Sequence, residues 1–143
     1  MARYALVVAR FYEDLAARLE SGARAVFEAQ EGGEVEVFDV PGAFELGQAA
    51  QYVAQTGRFR GVACIGVVIR GETDHYDHVC EAAARGVADA GMATGVPVGF
   101  GVLTVNTREQ ALARSGGDKR DSGAAAAHAV LALAGIRERT STR

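Results

Sequence analysis

The chain has 143 residues, 49% hydrophobic and 23% charged, the balance of one globular domain spanning residues 1–143 rather than of a disordered or membrane-embedded chain. Fifteen Lys and Arg against 18 Asp and Glu leave a net charge of −3, which argues against nucleic acid as a partner. The only cysteines, Cys64 and Cys80, sit in apolar surroundings and suit a reducing cytoplasm, while the opening apolar run is too short for a signal peptide and no stretch reaches the ~18 apolar residues of a membrane span.

Arg3 to Ala9 is a short apolar run with little alternation, which predicts a strand covered on both faces of a parallel sheet. From Tyr12 to Gln30, Leu15, Leu19, Ala23, Val26 and Phe27 recur at helical spacing until Gly32-Gly33 stops them. Glu34 to Val40 alternates Val35 and Val37 with acidic residues, so a second strand is expected there, more exposed and nearer an edge. Pro41-Gly42 turns the chain into a helix over Ala43 to Thr56, with Gly57 as its stop. Gly61 to Ile69 is the most apolar run and predicts the strand in the middle of the sheet. After a polar loop, Arg70 to Asp74, an Ala-rich helix is expected over Tyr76 to Ala90, then a fourth strand over Val96 to Val105 broken by two glycines. Thr107 and Gln110 form a capping box for a short helix to about Arg114. A Gly-rich charged loop, Ser115 to Ser122, precedes a last helix over Gly123 to Arg137 and a frayed tail from Thr140 to Arg143. Alternating strands and helices predict an α/β three-layer sandwich: a four-stranded parallel sheet with helices on both faces and ligands bound past the carboxyl ends of the strands.

Those strand ends hold the reactive residues. Asp74 to Cys80 packs two carboxylates, two imidazoles and a thiol into seven positions, a candidate metal cluster. Against that reading, His75 and His78 are only three residues apart at a helix start, and no comparable second ligand cluster exists. The expectation is no metal, with His75 transferring protons near neutral pH and His78 solvated. Arg70-Gly71-Glu72-Thr73 opens a helix, so its amides and hydroxyl can cradle an anion, although the GxGxxG and GxxxxGK[ST] patterns are absent. Arg114, Lys119 and Arg120 are either anion contacts or solvated bases. Phe11 and Phe44 are either core or platforms for a flat heterocycle. Cys64 and Cys80 read as buried small hydrophobes. With no Ser elbow, Cys-x-x-Cys or Lys in an apolar strand, the substrate is expected to bring its own nucleophile.

Four ordered motifs cover nearly the whole chain: Ala9-Arg10-Phe11; Val40 to Glu45; Gly66 to Asp77; and Gly101 to Thr104 with Glu109 to Arg114. In these the chain resembles the 6,7-dimethyl-8-ribityllumazine synthase family of riboflavin synthesis. The resemblance implies a flavodoxin-like fold and condensation of 5-amino-6-(D-ribitylamino)uracil with 3,4-dihydroxy-2-butanone 4-phosphate, without a cofactor. It implies that Phe11 stacks on the pyrimidinedione, that Ala43, Phe44 and Glu45 contact the ring and ribityl chain, and that Val68 and Ile69 offer backbone groups. Gly71, Glu72 and Thr73 would hold the phosphate, His75 would shuttle protons, and Phe100 and Arg114 would arrive from a neighbouring subunit. A homo-oligomer follows from the same resemblance, either a pentamer or a sixty-subunit icosahedral shell, with the short loop from Arg114 to Gly123 leaning slightly toward the shell and the short segment before the first strand pulling the other way. Three departures stand out: Gly47 replaces a common proline and should loosen a helix start, Ser122 occupies the place of a family lysine by ungapped counting while a gap would put Lys119 or Arg120 there, and the segment before the first strand is short. Gly47 and the lost lysine motivate an alternative, an assembling scaffold with weak or no catalysis; a metal-dependent hydrolase centred on His75 and His78 is a third reading.

Overall fold

In a computed structural model, which describes residues 2–117 and 119–141, strands β1 (Ala2–Ala9), β2 (Gly33–Val40), β3 (Gly61–Ile69) and β4 (Val98–Val105) form one sheet in the order β2-β1-β3-β4. All three pairings are parallel, as expected, and the order is that of the first four strands of a flavodoxin-like sheet. Helices α1 (Glu13–Glu28), α4 (Arg108–Arg114) and α5 (Ser122–Arg139) lie on one face, α2 (Leu46–Gln55) and α3 (His75–Thr94) on the other. Along β1, Tyr4, Leu6 and Val8 pack on Leu15, Leu19, Phe27 and Val130, while Ala5, Val7 and Ala9 pack on the side of Leu46, Ala50, Ala83 and Val87. Both pleats are therefore apolar, which is why the run shows no alternation. β2, an edge strand, keeps some exposure along its whole length, whereas Gly61 to Val67 of β3 is buried throughout. Among the described residues no helix is long and apolar enough to cross a membrane.

Several boundaries differ from expectation for local reasons. The helix expected from Ala43 starts as a 3-10 turn, Ala43–Glu45, because Glu45 folds back: its N–H donates to the Gly42 carbonyl (3.2 Å) and its Oε1 accepts from the Gly42 N–H (3.0 Å). α3 includes His75 at its start and outruns Ala90 to Thr94, stopping at Gly95 in the left-handed region (φ 74°). β4 starts at Val98 rather than Val96, after Pro97, whose carbonyl accepts from the Val62 N–H (2.9 Å). Its glycines do not break it: a Cβ on Gly101 would come within 2.8 Å of the Ser122 carbonyl oxygen, so the missing side chains let α5 lie close on the sheet. Thr107 Oγ1 accepts from the Gln110 N–H (3.1 Å), but Gln110 Oε1 accepts from Asn106 N (2.7 Å) rather than from Thr107, a shifted capping box. Asp121 caps α5 by accepting from the Ala124 N–H (3.0 Å), so the helix starts at Ser122 and reaches Arg139, two residues beyond Arg137. Ser115 and Asp121 bridge the expected loop. Asp118 of that loop, and Thr142 and Arg143 of the expected tail, lie outside the described residues.

Gly47 has a different consequence from the loosened helix start expected of it. It is buried in α2 against Gly86 of α3, and a Cβ on it would stand 2.5 Å from the Gly86 Cα. The two helices cross through paired glycines, and the close approach is what the residue permits. Gly123 does the same for α1 and α5, where a Cβ would overlap the Leu19 carbonyl oxygen. Because that neighbour is backbone, Gly123→Ala should cost about 1–3 kcal/mol of stability. Urea unfolding measures this; an unchanged midpoint would mean that the α1–α5 contact yields freely.

Candidate active site

The inner strands β1 and β3 leave the sheet in opposite directions of strand order, and the crevice beyond their carboxyl ends is where such sheets bind ligands. A cavity of about 550 Å³ lies there, within the range that takes a small-molecule substrate. One wall comes from the turns after β1 and β2, the other from the end of β3 and the first turn of α3.

Nine of the expected residues line it: Phe11, Ala43, Phe44, Glu45, Val68, Ile69, Gly71, Thr73 and His75. Phe11 is 74% exposed and Phe44 61% exposed, which rules out the core reading for both. Rings this exposed are free to stack on a flat ligand. The Glu45 carboxylate belongs to the turn that presents Phe44, since one of its oxygens holds Gly42. Thr73 Oγ1 accepts from the His75 N–H (3.3 Å), which ties the loop to the first residue of α3. His75 is thus exposed at a helix N-terminus, not in the loop before it, beside the amides that favour an anion.

Glu72, Phe100 and Arg114 do not reach this cavity. Glu72 is exposed outside the lining. Phe100 is 42% exposed on the edge strand β4. Arg114 ends α4, its Nη1 donating to the Gln110 carbonyl (3.1 Å). Lys119 and Arg120 are exposed, their N–H groups donating to the Ala113 carbonyl. Ser122 is buried at the start of α5.

Sequence reasoning missed Tyr12 and Tyr76, both in the lining. Each directly follows a residue singled out there, and adjacency at a turn was the available signal. The Tyr76 ring lies 4.2 Å beneath the Arg70 guanidinium. Burial, and then the neighbouring Cys80 thiol, push the Tyr76 phenol above its usual range, so it stays a neutral donor at physiological pH. Among the described residues, no three His, Cys, Asp or Glu side chains converge to hold a metal ion.

The cysteines differ. Cys64 is fully buried, and burial pushes its thiol up to about 12. Cys80 is only half-buried, correcting the expectation that it is core: it follows Val79 on the flank of α3, beside Tyr76.

The family model described as 6,7-dimethyl-8-ribityllumazine synthase matches residues 1–138. The 6,7-dimethyl-8-ribityllumazine synthase of Erythrobacter litoralis is 46% identical over 139 residues, covering 97% of this chain and 98% of its own. The chloroplastic 6,7-dimethyl-8-ribityllumazine synthases of Arabidopsis thaliana and Spinacia oleracea are 46% and 42% identical over 95% of this chain, which spans 61% and 62% of their lengths.

Because only thiolates attack disulfide reagents readily, a thiol reagent at pH 8 should label the folded protein slowly, at Cys80 alone. Cys64 should react only on unfolding; fast labelling of both in the native state would contradict the burial described.

Proposed function

Because the chain belongs to the 6,7-dimethyl-8-ribityllumazine synthase family, we propose that it condenses 5-amino-6-(D-ribitylamino)uracil with 3,4-dihydroxy-2-butanone 4-phosphate, releasing phosphate and water. The observation that carries this reading is one cavity in which two exposed aromatic rings, Phe11 and Phe44, share a lining with His75 and the anion-favouring start of α3. A flat pyrimidinedione fits the rings, and a phosphate fits the Gly71, Glu72 and Thr73 segment at the head of a 20-residue helix. Ala43 and Glu45 are assigned to the ring and ribityl chain, and the backbone of Val68 and Ile69 to the ring edge.

The nucleophile is the substrate's own amine. Its attack on the ketone forms the carbon–nitrogen bond, water leaves to give the imine, and loss of a proton from carbon expels phosphate. Phosphate loss leaves an enol, which takes a proton at its terminal carbon and becomes a ketone; the ribitylamino nitrogen attacks that new carbonyl to close the ring, and a second water leaves. Each step moves a proton near neutral pH, the range in which an imidazole gives and takes protons, and His75 is the group assigned to it. No cofactor or metal enters this sequence.

Phe100 and Arg114 lie outside their own chain's cavity, so we assign them to the cavity of an adjacent copy, with Arg114 as counter-charge to the phosphate. The working unit is then a homo-oligomer, a pentamer or a shell built of pentamers, each chain one domain, in the cytoplasm where Cys64 and Cys80 stay reduced. Exposed Leu112, Leu133 and Ile136 are consistent with surfaces that pair. The scaffold alternative is not favoured: the relatives matched over nearly the whole chain are named as synthases, and Gly47 fits the α2–α3 crossing.

With both substrates and detection of the lumazine by absorbance, purified protein should accelerate condensation well above the no-enzyme rate. His75→Ala should slow it by roughly 10²-fold or less, since the amine still attacks unaided and acid–base terms are ~10²–10⁴; equal rates would remove His75 from its role. Arg114→Ala should raise KM for the phosphate substrate with little change in kcat, and a change confined to kcat would overturn the assignment. No acceleration by folded protein would overturn the function itself.

A further inference from the structure

Arg10 belongs to the first motif yet has no part in the chemistry above. Its side chain is only 21% exposed and carries three carboxylates on three nitrogens: Nε to Asp39 Oδ1 at 2.8 Å, Nη2 to Glu20 Oε1 at 2.7 Å, and Nη1 to Glu13 Oε1 at 3.2 Å. Burial opposes the charge, but the pairs with Asp39 and Glu20 outweigh it and raise the pKa of the guanidinium above its ordinary value. The backbone N–H of Arg10 also donates to the Val40 carbonyl (3.0 Å). Arg10 is the residue after β1, and Asp39 and Val40 are the last two of β2. One side chain and one amide therefore tie together the ends of the two strands whose following turns carry Phe11 and Phe44.

Those two rings have little else to hold them. Both are mostly exposed, and the aromatic neighbour of Phe11 is Tyr12, edge-on at 4.9 Å. Side chains without surrounding packing take their position from the backbone beneath them, and small displacements of a binding wall are costly when catalysis consists of orienting two substrates. We infer that Arg10, through its bond to Asp39, is a positioning residue that sets the spacing of the Phe11 and Phe44 wall and so determines affinity for the flat heterocyclic substrate rather than for the phosphate.

The inference rests on the proposed condensation, and its test separates the two. Steady-state kinetics of wild type, Arg10→Lys, Asp39→Asn and Glu13→Gln are measured against each substrate in turn, with the unfolding midpoint of each protein. A lysine keeps the charge but cannot hold three carboxylates in a fixed fork. Arg10→Lys and Asp39→Asn should raise KM for the pyrimidinedione about tenfold, with KM for the phosphate substrate within about twofold of wild type. Glu13→Gln, whose arm stays within the β1–α1 segment, should change neither. Equal rises in both KM values, no rise, or losses that track the unfolding midpoint would overturn the positioning role. If wild type does not condense the substrates at all, the proposed function fails, and amide hydrogen exchange decides the remainder. Exchange at residues 42–45 that is roughly tenfold faster in Arg10→Lys, with α3 unchanged, supports the clamp; unaltered exchange overturns it.

Discussion

Burying β1 and β3 on both faces is the constraint from which the rest of the structure follows. Two inner strands need apolar residues along the lengths buried on both faces, Tyr4 to Ala9 and Gly61 to Val67, and they need helices above and below to cover them. A strand of this kind has no room for chemistry along its length. Polar and ionisable residues collect where the strands end, and because β1 and β3 run parallel, their carboxyl ends open on the same edge of the sheet. The cavity is a consequence of that edge, lying where one connection turns toward α1 and the other toward α3.

Covering a sheet closely from both sides sets a second demand, met by glycine at the crossings. Gly47 meets Gly86, Gly101 meets α5, and Gly123 meets α1, in each case backbone against backbone or nearly so. Short distances between layers help hold the strand ends, and with them the loops, in a fixed frame. The abundance of glycine thus reflects packing more than turns at these positions: none of Gly47, Gly86, Gly101 and Gly123 has a positive φ, which among the described residues occurs at Gly32, Gly57, Gly95 and Gly116.

Strand and helix order was legible from the apolar runs because burial on both faces leaves an unmistakable pattern in β1 and β3. Boundaries were less so, since they turn on single side chains: Glu45 folding onto Gly42, or Asp121 reaching Ala124. Of the site, residues next to strand ends were readable, since a parallel sheet says where those ends must gather. Tyr76 was signalled only by its adjacency to His75, because it sits one place into α3, where its spacing resembles that of a core residue. Phe100 entered only through resemblance, and resemblance alone singled Arg114 out from the three bases read as anion contacts or solvated groups; neither lines its own chain's cavity, so the periodicity of the chain carries no signature of them.

A reaction in which one substrate supplies the nucleophile asks the protein for orientation above all, and orientation in this fold is a matter of loops. The arrangement beside the two inner strands repeats. Arg10 follows β1, donates its N–H to Val40 at the end of β2, and bonds Asp39 through its side chain. Arg70 follows β3, donates its N–H to Val105 at the end of β4, and bonds Asn106 through its side chain (3.0 Å). In both cases the first residue past an inner strand extends the ladder by one bond and pins the edge strand's end with an arginine. Each arginine stands directly before residues that line the cavity, Phe11 in one case and Gly71 and Thr73 in the other. The planar guanidinium suits this use, because its donors diverge in fixed directions and lose little freedom on binding. The four strand ends around the cavity are thereby tied in pairs, β1 to β2 and β3 to β4, directly beside the segments that carry the exposed rings and the exposed imidazole.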